Sequence, residues 1–129
     1  MKLKHDCVRD VLIYCEDHLI FGENLSWNPL SLEKFCKELP KYSREDLAYT
    51  LYLLAEADFL ETHITEADGG IYGIFVYRIT YIGHEFIDTI RPDTVWKKIQ
   101  KAITALGSAS LPVIQSLGSQ YATELLTHL

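Results

Sequence analysis

Residues 67–70, Ala-Asp-Gly-Gly, constrain the fold of this chain more than any other stretch. Glycine readily adopts the positive φ angles of tight turns, so this tetrapeptide is typical of a hairpin turn. The residues on both sides are rich in β-branched and aromatic types, which favour strands. The sequence therefore predicts an antiparallel hairpin whose strands are residues 59–65 and 71–80.

Two short helices are predicted immediately before this hairpin. Ser31 and Ser43 are candidate N-caps, and Asp46 follows Ser43 at the spacing of a capping box. Pro40 ends the first helix, and only three residues separate it from the second, a turn short enough for a helix-turn-helix. The apolar positions expected to be buried are Leu32, Phe35, Cys36 and Leu39, then Leu47, Leu51, Leu54 and Ala55.

Further elements are expected on both sides of this region. Residues 6–20 have the apolar spacing of a helix, and Gly22 is expected to close that helix as a left-handed C-cap. Residues 25–29 are expected to form a short first strand of the sheet. Thr80 is expected to cap a helix that packs through Phe86, Ile87 and Ile90.

Two more helices are predicted towards the C-terminus, one in residues 93–106 and one from Ser110 to about residue 127. Taken together, the elements predict an α+β fold, a winged helix-turn-helix with a two- to three-stranded wing sheet and a C-terminal helical extension. We expect the winged helix-turn-helix domain in residues 1–91 and the extension in residues 92–129.

The outer face of the helix before the hairpin combines tyrosines with carboxylates. The residues at the i, i+4, i+7, i+11 spacing of one stripe are Glu45, Tyr49, Tyr52 and Glu56. Residues 43–57 hold one arginine against three acids, and residues 60–77 hold three acids and no lysine or arginine. Because tyrosine is enriched at binding hot spots, this stripe is predicted to bind a protein partner. The alternative is that the tyrosines cover neighbouring core and the acids form a solvated face.

A basic cluster beside this helix leaves DNA binding open as an alternative. The residues that would contact phosphates are Lys34, Lys37, Lys41 and Arg44. Against this reading, the net charge of −6 repels polyanions, and surface lysines are often no more than solvated side chains.

The segment from residue 102 onwards has Glu124 as its only formally charged side chain. One helical face of this segment is apolar and consists of Leu111, Ile114, Leu117, Tyr121 and Leu125. We expect this stripe to pack against the same chain or to pair with its copy in a homodimer. The lysines at positions 97, 98 and 101 leave a role at a membrane surface as a third reading.

Sequence signatures of catalysis are lacking. His5, Asp6 and Cys7 are adjacent, so their side chains diverge on a helix and cannot share one metal ion. His84-Glu85 lacks the second histidine of an HExxH motif, and neither a nucleophile elbow nor a Walker loop occurs. We expect a protein that is not an enzyme and that uses no metal or cofactor.

The three cysteines have no CxxC spacing, and the chain has no apolar signal core at its start and no long apolar run. We therefore expect free thiols, no spanning membrane segment and a cytoplasmic location.

Two junctions resemble those of winged-helix proteins. Residues 79–83, Ile-Thr-Tyr-Ile-Gly, resemble the [LI]-T-x-x-G junction that follows the second wing strand. Residues 54–61 resemble the L-x-x-x-G-[YF]-[IL] exit of a recognition helix, with Asp58 at the position where glycine is usual.

More narrowly, the chain resembles an uncharacterised family of small proteins from bacteria, phages and prophages that is classed as a domain of unknown function. The matching pieces are MKLKHDCVRDVL, YSREDLAYTL and ITYIGHEFIDTIRPDTVWKK. This resemblance implies a winged helix and a prophage setting in a bacterial host cell. The function prediction is a phage- or prophage-type accessory protein that acts through protein–protein binding, and the alternative is a winged-helix DNA-binding transcriptional regulator.

Overall fold

The computed structural model describes the whole chain, Met1–Leu129, and has an α+β architecture. The helices are α1 His5–His18, α2 Leu32–Glu38, α3 Arg44–Glu56, α4 Tyr81–Ile90, α5 Asp93–Leu106 and α6 Leu111–Thr127. One antiparallel sheet contains β1 Leu30–Ser31, β2 Leu60–Ala67 and β3 Gly70–Ile79, in the order β1-β3-β2. The α+β class predicted from the sequence is confirmed.

The chain consists of two compact units, Met1–His84 and Glu85–Leu129. The division falls within α4, and the boundary expected from the sequence lies after residue 91. The first unit holds α1 to α3 and the sheet, and the second holds α5, α6 and most of α4.

The first unit buries one apolar face of each of its helices. Along α3, Leu47, Leu51 and Leu54 recur at helical spacing and are fully buried. Burying one such side chain stabilises the fold by roughly 1.5–3 kcal/mol. On the same face, the hydroxyl of Thr50 donates a hydrogen bond to the Sγ of Cys7 at 3.3 Å, which joins α3 to α1.

Both N-caps predicted from the sequence are confirmed. The Oγ of Ser31 accepts a hydrogen bond from the backbone N–H of Lys34 at 3.2 Å, and the Oγ of Ser43 accepts one from Asp46 at 3.1 Å. Each bond satisfies a backbone donor that the helix leaves without a partner in its first turn. The short helices α2 and α3 therefore begin where the serines place them.

The connection from α1 to the sheet differs from the sequence expectation. α1 ends at His18, and the left-handed residues of the loop are Asn24 and Leu25, with φ of 57° and 61°, rather than Gly22. The expectation of a strand in residues 25–29 is also wrong, because Leu25 belongs to a 3₁₀ turn and β1 begins only at Leu30. Pro29 has no N–H to donate to a sheet, so the ladder starts after it.

The hairpin of β2 and β3 is confirmed, and both of its strands reach the turn. Asp68 and Gly69 have positive φ angles of 51° and 77°, the backbone that a two-residue hairpin turn requires. The register between the strands shifts between Glu61 and Thr62, and again between Thr65 and Glu66. Such β-bulges change the direction in which neighbouring side chains project.

The junction from β3 to α4 depends on a close backbone approach. The Oγ1 of Thr80 accepts a hydrogen bond from the N–H of Gly83 at 3.0 Å, which confirms Thr80 as the cap of α4. A Cβ added to Gly83 would overlap the backbone carbonyl oxygen of Phe59. Glycine at this position is therefore a packing requirement.

The second unit contains the two C-terminal helices. α5 begins after Pro92 and ends at Gly107, whose φ of 85° terminates the helix. α6 approaches the end of α4 closely, since a Cβ on Gly118 would lie 3.0 Å from the Cβ of Thr89. The buried apolar side chains of α5 and α6 are Val95, Trp96, Ile99, Ile103, Leu111 and Ile114. None of the helices combines the length and the apolar character needed to cross a bilayer.

Candidate functional site

An open groove of about 730 Å³ lies between α3 and the β2–β3 hairpin, and we call it the α3–hairpin groove. α3 contributes Glu45, Ala48, Tyr49 and Tyr52. The hairpin contributes Glu66, Ala67, Gly69, Gly70 and Ile71, and Met1 completes the lining. The volume falls within the range of roughly 300–1,000 Å³ that is usual for ligand sites in proteins.

The buried leucines of α3 determine which of its side chains reach the groove. Leu47 and Leu51 point into the core, so residues on the opposite face of α3 project outwards. Tyr49 and Tyr52 are half-buried there, and Glu45 is exposed. Three members of the stripe predicted from the sequence thus line the groove together.

Glu56 is the member of the predicted stripe that lies outside the groove. It is the last residue of α3 and is exposed, and the groove lining ends at Tyr52 on this helix. Glu56 therefore provides a carboxylate on the same helix that can serve as a control for Glu45.

The hairpin side of the groove was not predicted as part of the site. The register shift between Thr65 and Glu66 pairs Glu66 with Ile71, and both residues line the groove. The hairpin was predicted to be acidic, but the bulge was not predicted, although Gly73 pairs with Thr65 beside the register shift and an isolated glycine in a strand often marks a bulge. A further signal was the absence of basic residues in this hairpin before Arg78.

The lining of the groove carries negative charge. Glu45 and Glu66 are its only carboxylates, no lysine or arginine side chain lines it, and neither carboxylate forms an ion pair. The unit Met1–His84 contains fourteen acidic and eight basic residues, so the whole net charge of −6 resides in this unit. The groove therefore attracts cations.

Lys4 lies near the start of α3 but is already paired. Its ammonium donates a hydrogen bond to the Asp46 carboxylate at 2.7 Å. This hydrogen bond holds the pKa of Asp46 below its usual range and raises the pKa of Lys4. Lys4 and Asp46 therefore compensate each other and leave the charge of the groove unchanged.

The residues proposed for DNA contact lie outside the groove, and most of them are in ion pairs. The distances between charged atoms are 3.3 Å for Lys34–Glu38, 3.4 Å for Lys41–Asp10 and 2.5 Å for Arg44–Glu33. Lys37 forms no ion pair with a carboxylate. The hydrogen bond from Arg44 lowers the pKa of Glu33. Most of the positive charge of this cluster is therefore locally compensated.

Tyr42, in the turn between α2 and α3, connects this turn to α1. Its hydroxyl donates a hydrogen bond to the Oδ2 of Asp10 at 2.5 Å, and the Lys41 ammonium lies 5.1 Å from the centre of its ring. Burial, and then the hydrogen bond to Asp10, raise the pKa of Tyr42. The bond fixes the start of α3 relative to α1.

A smaller cavity of about 280 Å³ lies at the end of α1. Its lining includes Phe21 and Trp27, which are exposed and whose rings lie 5.1 Å apart. Arg78 also lines this cavity, and its Nε lies 2.6 Å from a carboxylate oxygen of Glu61. This cavity was not predicted from the sequence, because a strand was expected where the loop lies.

The apolar stripe of α6 becomes progressively more exposed along the helix. Leu111 and Ile114 are buried, Leu117 and Tyr121 are half-buried, and Leu125 is exposed. The Lys98 ammonium lies 5.8 Å from the centre of the Tyr121 ring. The last turns of α6 therefore present apolar surface that the second unit does not cover.

The side chains that could ligate a metal are dispersed over the structure. No three side chains of histidine, cysteine, aspartate or glutamate lie close enough together to hold an ion. All three cysteines are free thiols, and Cys7 and Cys15 are buried.

A family model described as hypothetical protein DUF2513 matches residues 2–110, and the chain belongs to this family. The sequence-based assignment to a domain-of-unknown-function family is thus confirmed. No curated protein and no solved structure matches the chain.

Proposed function

We propose that this member of the DUF2513 family is a winged helix-turn-helix scaffold that acts by binding a protein partner through the α3–hairpin groove, without a catalytic step. The observation that carries the proposal is the lining of the groove, which combines Tyr49 and Tyr52 with the carboxylates of Glu45 and Glu66. Tyrosines in a partly buried cleft are typical anchors of protein–protein interfaces.

The order of the elements supports the winged helix-turn-helix assignment. The first unit contains, in chain order, α1, β1, α2, α3 and the hairpin of β2 and β3, and the sheet order is β1-β3-β2. Only residues 39–43 separate α2 from α3. In such a fold the hairpin is the wing, and α3 is the helix that most often contacts a partner.

The distribution of charge favours a protein over DNA as that partner. A helix and a wing that lie against phosphates normally supply lysine or arginine, and here both supply glutamate. The basic cluster beside α2 has three of its four members in ion pairs with carboxylates. These two observations support our preference for the protein-binding scaffold over the DNA-binding transcriptional regulator.

The proposal also includes the cellular setting and the oligomeric state. A phage- or prophage-type accessory role in the cytoplasm of a bacterial host is supported by the sequence resemblance and by the free thiols. A homodimer through α6 is supported by the apolar side chains of Leu125 and Leu126, which are exposed on the last turns of this helix.

Affinity capture with matched variants tests the central part of the proposal. The wild-type chain, the double variant Tyr49→Ala/Tyr52→Ala and the control Tyr81→Ala are immobilised and exposed to a nuclease-treated lysate of a bacterium that carries a member of this family. Tyr81 is 79% exposed and lies outside the groove. Retained proteins are identified, purified and titrated against all three chains by calorimetry.

The expected result is one protein retained by the wild-type and Tyr81→Ala chains and lost from the double variant, with an affinity lower by on the order of 30-fold or more. Equal affinity of the purified protein for all three chains would contradict the proposal. A parallel gel shift with duplex DNA at low salt is expected to show no binding, and binding that weakens after charge reversal at Lys37 would favour the regulator instead.

A further inference from the structure

The α3–hairpin groove combines two features that different ligands would use separately. Glu45 and Glu66 bring negative charge that no basic side chain of the groove compensates. Tyr49, Tyr52 and Ile71 bring aromatic and aliphatic surface. An occupant that fits the groove must satisfy both features at once.

Simple ligands satisfy only one of these features. A small inorganic cation would pair with the carboxylates but would leave the tyrosine rings uncovered. A purely apolar side chain would cover the rings but would remove water from Glu45 and Glu66 without replacing it, which is unfavourable for a charged group. A negatively charged ligand would be repelled by both carboxylates.

An alkyl chain that ends in a positive charge satisfies both features. The stems of lysine and arginine pack along apolar surface while their charged ends remain in polar surroundings. An ammonium or guanidinium group over a tyrosine ring gains a cation–π contact, and it can pair with a carboxylate in the same position.

The dimensions of the groove favour a protein as the source of this side chain. A volume of about 730 Å³ is much larger than one lysine or arginine side chain, so it also has space for the neighbouring residues of a segment. Ala48, Gly69 and Gly70 have small or no side chains, which allows another backbone to approach closely. Met1, which also lines the groove, is 94% exposed.

We infer that the groove holds a lysine or arginine side chain of the protein partner, with its stem against Tyr49 and Tyr52 and its charged end at Glu45 and Glu66. The inference rests on the proposed function and adds the chemical group that the partner must supply.

A set of matched small probes tests the inference on the full chain. The N-acetyl, N-methylamide derivatives of lysine, norleucine, arginine and citrulline are titrated into the ¹⁵N-labelled protein, and amide shifts are followed by NMR. Norleucine and citrulline keep the stems and lose the charge. Lysine and arginine are expected to shift amides of Ala48, Tyr49 and Ile71, with dissociation constants about tenfold lower than those of their neutral analogues.

The variant Glu45→Gln/Glu66→Gln keeps the shapes of the side chains and removes their charge. It is expected to abolish the preference for lysine and arginine, and the control Glu56→Gln is expected to retain it. Equal binding of charged and neutral probes to the wild-type chain would overturn the inference. A preference that survives in the double glutamine variant would overturn it as well.

Two peptides and a free polyamine distinguish the sources of the cation. A ten-residue peptide that alternates lysine and leucine is expected to bind more tightly than spermidine, and a peptide that alternates glutamate and leucine is expected not to bind. Spermidine that binds as tightly as the first peptide would overturn the assignment to a protein segment.

The failure of this inference is separable from a failure of the proposed function. If the captured protein partner is lost with Tyr49→Ala/Tyr52→Ala but binds Glu45→Gln/Glu66→Gln with unchanged affinity, protein binding stands and the cationic anchor is wrong. If neither double variant changes the affinity, both are wrong.

Discussion

The hydroxyl of Thr80 donates a hydrogen bond to the backbone carbonyl oxygen of Asp58 at 2.5 Å. Asp58 lies in the turn between α3 and β2, and Thr80 directly follows β3. This bond therefore holds the two ends of the hairpin together beside the end of α3. Asp58 has a φ of 62°, which is the left-handed region. The direction in which the hairpin leaves α3, and with it the shape of the α3–hairpin groove, depends on this turn.

Replacing Asp58 by glycine should stabilise the fold. Glycine adopts the left-handed region without a steric penalty, whereas a residue with a Cβ is strained there. We expect Asp58→Gly to raise the free energy of unfolding by about 0.5–1 kcal/mol and Asp58→Ala to lower it by a similar amount. Urea denaturation measures both changes. A wild-type chain more stable than the Asp58→Gly variant would contradict this expectation and show that the Asp58 side chain stabilises the fold.

Replacing Gly83 by alanine should destabilise the fold. The new Cβ would overlap the carbonyl oxygen of Phe59, which is backbone and cannot move as a flexible side chain can. We expect a loss of about 1–3 kcal/mol in the free energy of unfolding. Gly70→Ala is the matched control, because a Cβ there meets nothing within 4 Å and the change should be close to neutral. Equal stability of the two variants would contradict the close approach at Gly83.

Stability should fall under alkaline conditions because of the buried thiols. Burial raises the pKa of Cys7 from 9.0 to about 11 and also raises the pKa of Cys15. The folded state thus retains protons that the unfolded state releases. The contribution of Cys7 is fully present below pH 9 and is lost as the pH rises from 9 to 11, at about 1.4 kcal/mol per unit of pKa shift.

Denaturation curves at intervals between pH 7.5 and pH 10.5 measure this loss, and Cys7→Ala should show a shallower decline than the wild-type chain. The alanine variant should also be less stable at neutral pH, because it loses the contact with Thr50. A decline with the same slope in both chains would mean that Cys7 does not contribute to it.

Self-association should depend on the last turns of α6. Leu125 and Val113 are both 40% exposed on this helix, but only Leu125 belongs to the apolar stripe. We expect light scattering to give twice the protomer mass for the wild-type chain and for Val113→Glu, and the protomer mass for Leu125→Glu, because a buried charge disfavours the interface. A wild-type chain with the protomer mass would rule out this dimer.

Several features of the fold are encoded by short local signals and could be predicted from the sequence. Ser31 and Ser43 begin their helices through their own hydroxyls, and Asp68 with Gly69 makes the hairpin turn. The loop between α1 and β1 could not be predicted in the same way. Its course depends on left-handed backbone at Leu25, a residue type for which that conformation is uncommon.

The candidate site likewise combines features that the local sequence determines with features that depend on tertiary packing. The outward projection of Tyr49 and Tyr52 follows from the helical period and from the buried leucines, so the sequence predicted their shared face. The part played by Glu66 and Ile71 depends on a β-bulge and on how closely the hairpin approaches α3. Gly73 beside the bulge is a local signal for it, but how closely the hairpin approaches α3 depends on tertiary packing and required the three-dimensional structure.

The central claim is that a protein partner occupies the α3–hairpin groove, and cross-saturation NMR tests it most directly. The purified partner is saturated, and intensity losses are mapped on the amides of the labelled chain. The claim predicts the largest losses at Tyr49, Tyr52 and Glu66. Losses confined to residues 34–41, with the amides of the groove unchanged, would contradict it.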